Sequence, residues 1–279
     1  MAQLKCGTVA TIMESIASKR LAEDWDNVGL IIGDRSSIVN KILVCLDLPL
    51  WVVEEAVENK VDMIITHHPL IFDPLKKINS DTVLGKKIIK LIKNNISVYS
   101  CHTNFDIAQD GLNDIFAKQL GFEKTEVMKP ISEEKLYKVE ESDKGKAMGL
   151  GRIGRLENSV TLASYAAFVK KTLNIDNVRY SGPPDASIKN IAILNGAGNK
   201  FISTAKFSGA DVLVTGDIQY HQMIEALEEE IYVIDAGHFG TEKIMMKAVS
   251  DYLITYFKGK RYSVEVMESK SNIDTIVNL

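Results

Sequence analysis

Short, continuously apolar runs separated by amphipathic stretches set the rhythm of this chain. Ile42 to Asp47, Val61 to Thr66 and Ile96 to Cys101 are each of strand length and apolar on both faces, which is how strands of a covered parallel sheet read. Helical spacing fills the intervals. Val9, Ile12, Met13, Ile16, Ala17 and Leu21 share one face, and Pro49 opens a helix running to about Asn59. Over 81–94, Val83, Leu84, Ile88, Leu91 and Ile92 face inward while Lys86, Lys87, Lys90 and Lys93 form a solvated face. Further helices are predicted from Leu112 to Leu120 and over 161–173. The turn-prone Asp26-Asn27 pair precedes a short strand that Gly33-Asp34 ends, and a turn role and a ligand role for Asp26 and Asn27 both stay open. The expected class is α/β, with largely parallel or mixed sheets.

The second half repeats the first. Ile191 to Gly196 answers Ile42 to Asp47, Phe201 to Ser208 answers the helix after Pro49, and Ala210 to Asp217 answers Val61 to His68, all at an offset of 149. The offset then drops to near 136, aligning His102 with His238 and Asp106 with Glu242. Internal duplication into two similar α/β domains is the economical account. The boundaries expected are 1–128 and 129–279, with 129–184 as a charged connecting segment carrying Glu133, Glu134, Glu140, Glu141, Asp143, Lys144 and Lys146. Within it, Gly149, Gly151 and Gly154 match dinucleotide spacing without an evident strand before or helix after, so a glycine-tolerant strand is the better reading.

Composition narrows the function. Lys+Arg of 33 against Asp+Glu of 37, with no long basic run, argues against broad electrostatic nucleic-acid binding and leaves only a local patch open. Three scattered cysteines make neither a disulfide framework nor a thiolate zinc site. No signal core or run of membrane-span length is present, so a cytoplasmic location is expected.

Polar residues collect where the apolar runs end. The strand at Val61 stops on His67-His68-Pro69, and the strand at Ile96 stops on His102, with Asp106 four residues on. The second copy supplies Asp217, His221, His238 and Glu242. All five histidines of the chain fall in this set. Ligands in α/β folds gather beyond the carboxyl ends of strands. Buried carboxylates and imidazoles need a countercharge, and no lysine or arginine lies within these motifs. A divalent metal supplies it. Nitrogen and oxygen donors suit zinc, manganese, iron, nickel or cobalt, and their number suits two ions about 3.5–4 Å apart.

Trp25 to Gly29, Thr66-His67-His68-Pro69, His102-Thr103-Asn104-Phe105-Asp106, Thr215-Gly216-Asp217 and Asp235-Ala236-Gly237-His238-Phe239-Gly240-Thr241-Glu242 carry a resemblance over essentially the whole chain. The sequence resembles the dinuclear-metal-centre protein family whose members are often named GTP cyclohydrolase 1 type 2 homologues. That resemblance implies metal ligands at His67, His68, Asp106, His238 and Glu242, with one carboxylate bridging two ions. His102, Asp217 and His221 would be supporting or substrate-side groups. It also implies two similar α/β domains assembled as a toroidal homohexamer. Residues 129–184 are too few for the extra domain that some members carry between their halves.

A metal-dependent hydrolase acting on a nucleotide follows as the first functional expectation. For GTP, water would attack C8 of the purine and formate would leave, with His102 and His221 as the catalytic proton carriers. A non-catalytic metal-binding scaffold or regulator, and a metal-dependent phosphoesterase, use the same ligands.

Overall fold

In the computed structural model, residues 3–139, 145 and 147–277 are described; Glu140, Glu141, Asp143, Lys144 and Lys146 of the charged stretch lie outside them. The chain runs α1 (Cys6–Ile16), β1 (Gly29–Ile32), β2 (Lys41–Cys45), α2 (Leu50–Glu58), β3 (Met63–Thr66), α3 (Val83–Lys93), β4 (Ser97–Ser100) and α4 (Thr103–Ile107). It continues through α5 (Leu112–Gln119), β5 (Glu126–Pro130), α6 (Glu133–Lys138), β6 (Gly149–Thr161), α7 (Leu162–Leu173), β7 (Arg179–Ser181) and β8 (Ser187–Ala197). Then follow α8 (Ile202–Phe207), β9 (Val212–Gly216), α9 (Tyr220–Glu228), β10 (Tyr232–Asp235), α10 (His238–Glu242), α11 (Ile244–Lys260) and β11 (Glu265–Glu268). No helix among the described residues is long and apolar enough to cross a membrane.

Two compact units result, one built from the chain up to Phe105 plus Met245–Ile273, the other from Asp106–Ile244 plus the residues from Asp274 on. The first unit holds a five-stranded sheet in the order β1-β4-β3-β2-β11, parallel except for β1. The strand interiors Ile42–Cys45, Met63–Thr66 and Val98–Tyr99 are fully buried, which explains their unbroken apolarity. Leu43, Cys45, Ile64 and Val98 pack with Val52, Val53 and Ala56 of α2 and with Ile88 and Leu91 of α3.

The second unit holds a six-stranded sheet in the order β5-β6-β8-β9-β10-β7, with β8, β9 and β10 parallel. One face carries α5 and α7 through Phe116, Ala117, Leu162, Tyr165, Ala166 and Val169. The other face packs Ile202 and Ala205 of α8 and Ala226 of α9 against Ala192, Leu213 and Val233.

Duplication is visible in topology and in single hydrogen bonds. β1-β4-β3-β2 and β7-β10-β9-β8 share strand order and direction. Asp62 accepts from the amides of Asn40 and Lys41, and Asp211 accepts from those of Lys189 and Asn190, each residue displaced by the expected 149. In the next strand Met63 pairs with Ser97 and Val212 with Tyr232, so β10 lies 135 residues after β4, while His102 and His238 differ by 136. Gly237 is the inserted residue, and its φ of 75° is a conformation that suits glycine.

The domain boundaries differ from the expected ones. Residues 106–128 fold with the second unit because α5 offers Phe116 and Ala117 to the second sheet. Residues 245–273 return to the first unit, where β11 extends the sheet in parallel with β2. The stretch 129–184 is not merely a connection: β6 and β7 lie within it and β5 overlaps its start. The Gly149–Gly154 motif lies in β6, and a Cβ on Gly154 would sit 2.3 Å from the Phe122 ring, so packing accounts for that glycine.

A buried carboxylate fastens the returning segment. Glu55 of α2 accepts from the amides of Lys270 at 2.8 Å and Ser271 at 3.2 Å and from the Ser269 hydroxyl, while Asn272 accepts from the amides of Leu46 and Asp47. Glu55→Ala leaves those amides without this acceptor. It is expected to lower unfolding stability by about 1–3 kcal/mol, read as a reduced urea midpoint with unchanged slope.

Candidate metal-binding clusters

Backbone pairing continues past β3 and aims the paired histidines. The amides of His67 and His68 donate to the carbonyls of Cys45 and Leu46, and the Thr66 hydroxyl donates to the Leu46 carbonyl at 2.8 Å. Successive side chains then lean toward different neighbouring strands. His67 is buried and its Nδ1 lies 2.8 Å from the Cys101 carbonyl at the end of β4. His68 turns toward β2, its Nδ1 2.8 Å from Asp47 Oδ1. His102 places its Nδ1 2.9 Å from Asp26 Oδ1. The three rings sit 5.0–5.4 Å apart between centroids, and one ligand atom from each lies within 4.8 Å of the others.

A carbonyl only accepts, so the neutral His67 ring carries its proton on Nδ1 and its lone pair on Nε2. Ionised Asp47 and Asp26 impose the same tautomer on His68 and His102. Carboxylate or carbonyl partners on one ring nitrogen are the usual support for a metal-ligating imidazole, because they orient the ring and raise its basicity. The first unit thus presents three imidazoles prepared to donate through Nε2.

Asp26 does more than form a turn. Its Oδ2 accepts from the amide and hydroxyl of Thr103, and Thr103 Oγ1 in turn accepts from the Glu23 amide at 2.9 Å. Burial pushes the Asp26 carboxyl up, but the hydrogen bonds from His102 and Thr103 and the imidazole charge outweigh it, so its pKa lies below the usual carboxylate value.

The second unit gathers carboxylates. Asp106 and Glu242 are buried, and the Asn195 side-chain amide donates to Asp106 Oδ1 at 2.9 Å and to Glu242 Oε1 at 3.1 Å. Asn113 supports this arrangement, donating to the Asp106 carbonyl and accepting from the Asn195 amide. His238 has Nδ1 2.9 Å from Asp217 Oδ2 and Nε2 3.0 Å from Glu242 Oε2. Gly196 stands where the first copy has Asp47, and a Cβ there would meet Glu242 Oε1 at 2.4 Å. The missing side chain is the space the carboxylate occupies.

The donor chemistry suits a divalent ion. Two ligand atoms each about 2.1 Å from one ion at a right angle lie about 3 Å apart, the His238–Glu242 separation. Two buried carboxylates on one amide repel, and a cation is their natural countercharge. Thiolates stay out: all three cysteines are buried, and burial pushes the Cys45 thiol up to about 12.

Every histidine named from sequence except His221 thus lies in a cluster within its own unit. His221 is exposed on α9, its ring edge-on to Tyr220, and no hydrogen bond joins it to Asp217, His238 or Glu242 among the described residues. Asp47 and Asn195 join the clusters unannounced by the sequence pattern, and Asp26 resolves its open turn-or-ligand reading as the partner of His102. Their signal was a polar residue closing an apolar strand (Asp47, Asn195) or opening one (Asp26), and at Asp47 it was masked because the second copy carries glycine there.

A model of the Duf34/NIF3 (NGG1p interacting factor 3) family matches residues 4–274. The chain belongs to the Duf34/NIF3 family. Two relatives, from Clostridium acetobutylicum and Clostridium perfringens, are each named GTP cyclohydrolase 1 type 2 homolog. The first is 40% identical over 271 residues, spanning 97% of both chains, and the second 40% identical over 250 residues, spanning 89% of this chain and 90% of its own. The crystal structure of a Bacillus cereus protein related to NIF3 superposes with a TM-score of 0.91 at 29% identity, covering both chains completely. The Duf34/NIF3 fold therefore extends over the whole chain.

Two outcomes test the geometry. In metal-free protein in mildly alkaline buffer, two-bond proton–nitrogen NMR correlations are expected to show His67, His68 and His102 protonated on Nδ1; an Nε2–H tautomer at His67 would contradict the arrangement. Because the folded Asp26 pKa is depressed, its contribution is full above the ordinary value of about 3.9 and is lost as pH falls through the lower folded value. Asp26→Asn should cost about 1–3 kcal/mol at neutral pH and make stability fall less on acidification, read from urea midpoints across pH.

Proposed function

We propose that the chain binds two divalent metal ions per subunit and acts as a metal-dependent hydrolase of the GTP cyclohydrolase 1 type 2 kind. The ligands are His67, His68, Asp106, His238 and Glu242. The observation that carries the reading is that Nδ1 of His67, His68 and His238 is held by a carbonyl or carboxylate acceptor, the outer support usual for a metal-ligating imidazole. Zinc, manganese, iron, nickel and cobalt all accept such donors. Bound divalent ions supply Lewis acidity and lower the pKa of water toward ~7.

The chain's own groups do the rest. His102 moves the proton, since it stands beside His67 and His68 with Asp26 fixing its orientation. Asn195 holds the two carboxylates in place. His221, the other expected proton carrier, is exposed on α9 beside Tyr220, which leaves His102 the better placed. With GTP, water adds at C8 of the purine, the imidazole ring opens, and a second water releases that carbon as formate. The names of the relatives support this substrate, the family resemblance supports a homohexamer, and the lack of a signal core in the sequence supports work in the cytoplasm.

Elemental analysis of the purified chain is expected to find two equivalents of metal, removable by a chelator. Incubating metal-replete protein with GTP should release formate, and Glu242→Gln should lower that rate by at least about tenfold. Phosphate release without formate would move the activity to phosphoester hydrolysis. Stoichiometric metal without turnover on either substrate would make the chain a binding protein, and formate release surviving Glu242→Gln would reject the site.

A further inference from the structure

Trp25 and Phe72 are the feature of the first unit that metal binding leaves unused. Trp25 is 58% exposed and Phe72 48% exposed, with ring centroids 5.6 Å apart and planes inclined at 39°. Trp25 also meets His102 edge-on at 5.9 Å, so the aromatic pair borders the imidazole cluster. Both rings stand on held backbone. Asp26 is fixed by Thr103 and His102, and the Asn27 side chain donates to the Ile71 carbonyl at 2.6 Å, tying the Trp25 turn to the loop that carries Phe72. Trp51, the chain's other tryptophan, has its indole N–H bonded to the Ser271 carbonyl and no aromatic neighbour among the described residues.

We propose that Trp25 and Phe72 form a stacking subsite for a planar heteroaromatic ring of the nucleobase class. The proposal rests on the reading of the imidazole cluster as the reactive end, and names what holds the ring that carries the reacting carbon. Trp25 and His102 are 5.9 Å apart between ring centroids, so a ligand reacting beside His102 brings its adjoining ring to the indole. Stacking on an indole face contacts any base without reading its edge. Preordered rings lose little freedom on binding, which favours a small ligand. A second copy of the chain would need about 800 Å² from each partner, far more than two ring faces.

The test uses metal-free protein, so failure to load metal leaves it intact and successful loading does not rescue it. In a Trp51→Phe background Trp25 is the sole tryptophan reporter. Guanosine 5′-monophosphate is expected to quench its emission saturably, while ribose 5-phosphate, with the same phosphate and no base, leaves it unchanged. By equilibrium dialysis, Trp25→Leu should weaken retention of the nucleotide about five-fold or more, and Trp25→Phe should restore most of it. Equal retention by Trp25→Leu, or equal quenching by ribose 5-phosphate, would overturn the subsite. So would shielding of Trp25 from acrylamide that grows with chain concentration, because a second copy would then cover the face.

Discussion

An imidazole offers a metal one nitrogen at a time, and what the other nitrogen touches decides which. In this chain His67, His68 and His238 each have Nδ1 engaged by an acceptor built into a strand end or the loop after it: the Cys101 carbonyl, Asp47 and Asp217. His102 is held in the same way by Asp26. The acceptors exist because the parallel strands stop in register, leaving polar residues side by side at one edge. That edge depends in turn on the sheet interior: Ile42 to Cys45 and Met63 to Thr66 are buried throughout, so a one-residue slip would carry the whole set of imidazoles to the wrong face.

The two copies solved one problem with different side chains. Their frames are equivalent down to the Asp62 and Asp211 staples, yet the site positions diverge. His68 corresponds to Asp217, and Asp47 corresponds to Gly196. Each imidazole–carboxylate pair spans neighbouring strands, but the histidine stands on β3's end in one copy and after β10 in the other. Losing the side chain at Gly196 opened the volume that Glu242 fills, and Gly237 adds the one residue that lets α10 begin with His238. Duplication conserved the scaffold and released the strand ends to specialise.

Much of this was legible in the residues. Apolar runs marked β2, β3, β4, β8, β9 and β10, the spacing marked α2, α3, α5 and α7, and the repeat followed from their order. Clustering of histidines at strand ends pointed to the site. What escaped were relationships between residues distant in sequence. The antiparallel edges β1 and β7 are short, and pairing across roughly 50 to 70 residues leaves no local pattern. Nothing in Glu265–Glu268 announces that it pairs with β2 rather than with strands closer to it in sequence. Asp26 reads as an ordinary turn residue until Thr103 is known to lie against it. A boundary at 128 followed from the charged composition beyond it, whereas packing of Phe116 and Ala117 decides where α5 belongs.

The donor sets of the two units differ in charge, and that difference has chemical content. The first unit offers imidazoles that can remain neutral and supply no formal charge, a set favoured by zinc, iron, nickel or copper. The second unit offers Asp106 and Glu242 with one imidazole, a harder and anionic set toward which manganese or magnesium is drawn more strongly than toward imidazole alone. Two ionised carboxylates held close together favour a cation beside them, and Asp106 and Glu242 share the Asn195 amide while His238 stands against Glu242. Under the proposed two-ion reading, removal of metal is felt most by the carboxylate cluster, and least by the imidazoles whose Nδ1 bonds to Cys101, Asp47 and Asp26 hold them in place with or without an ion.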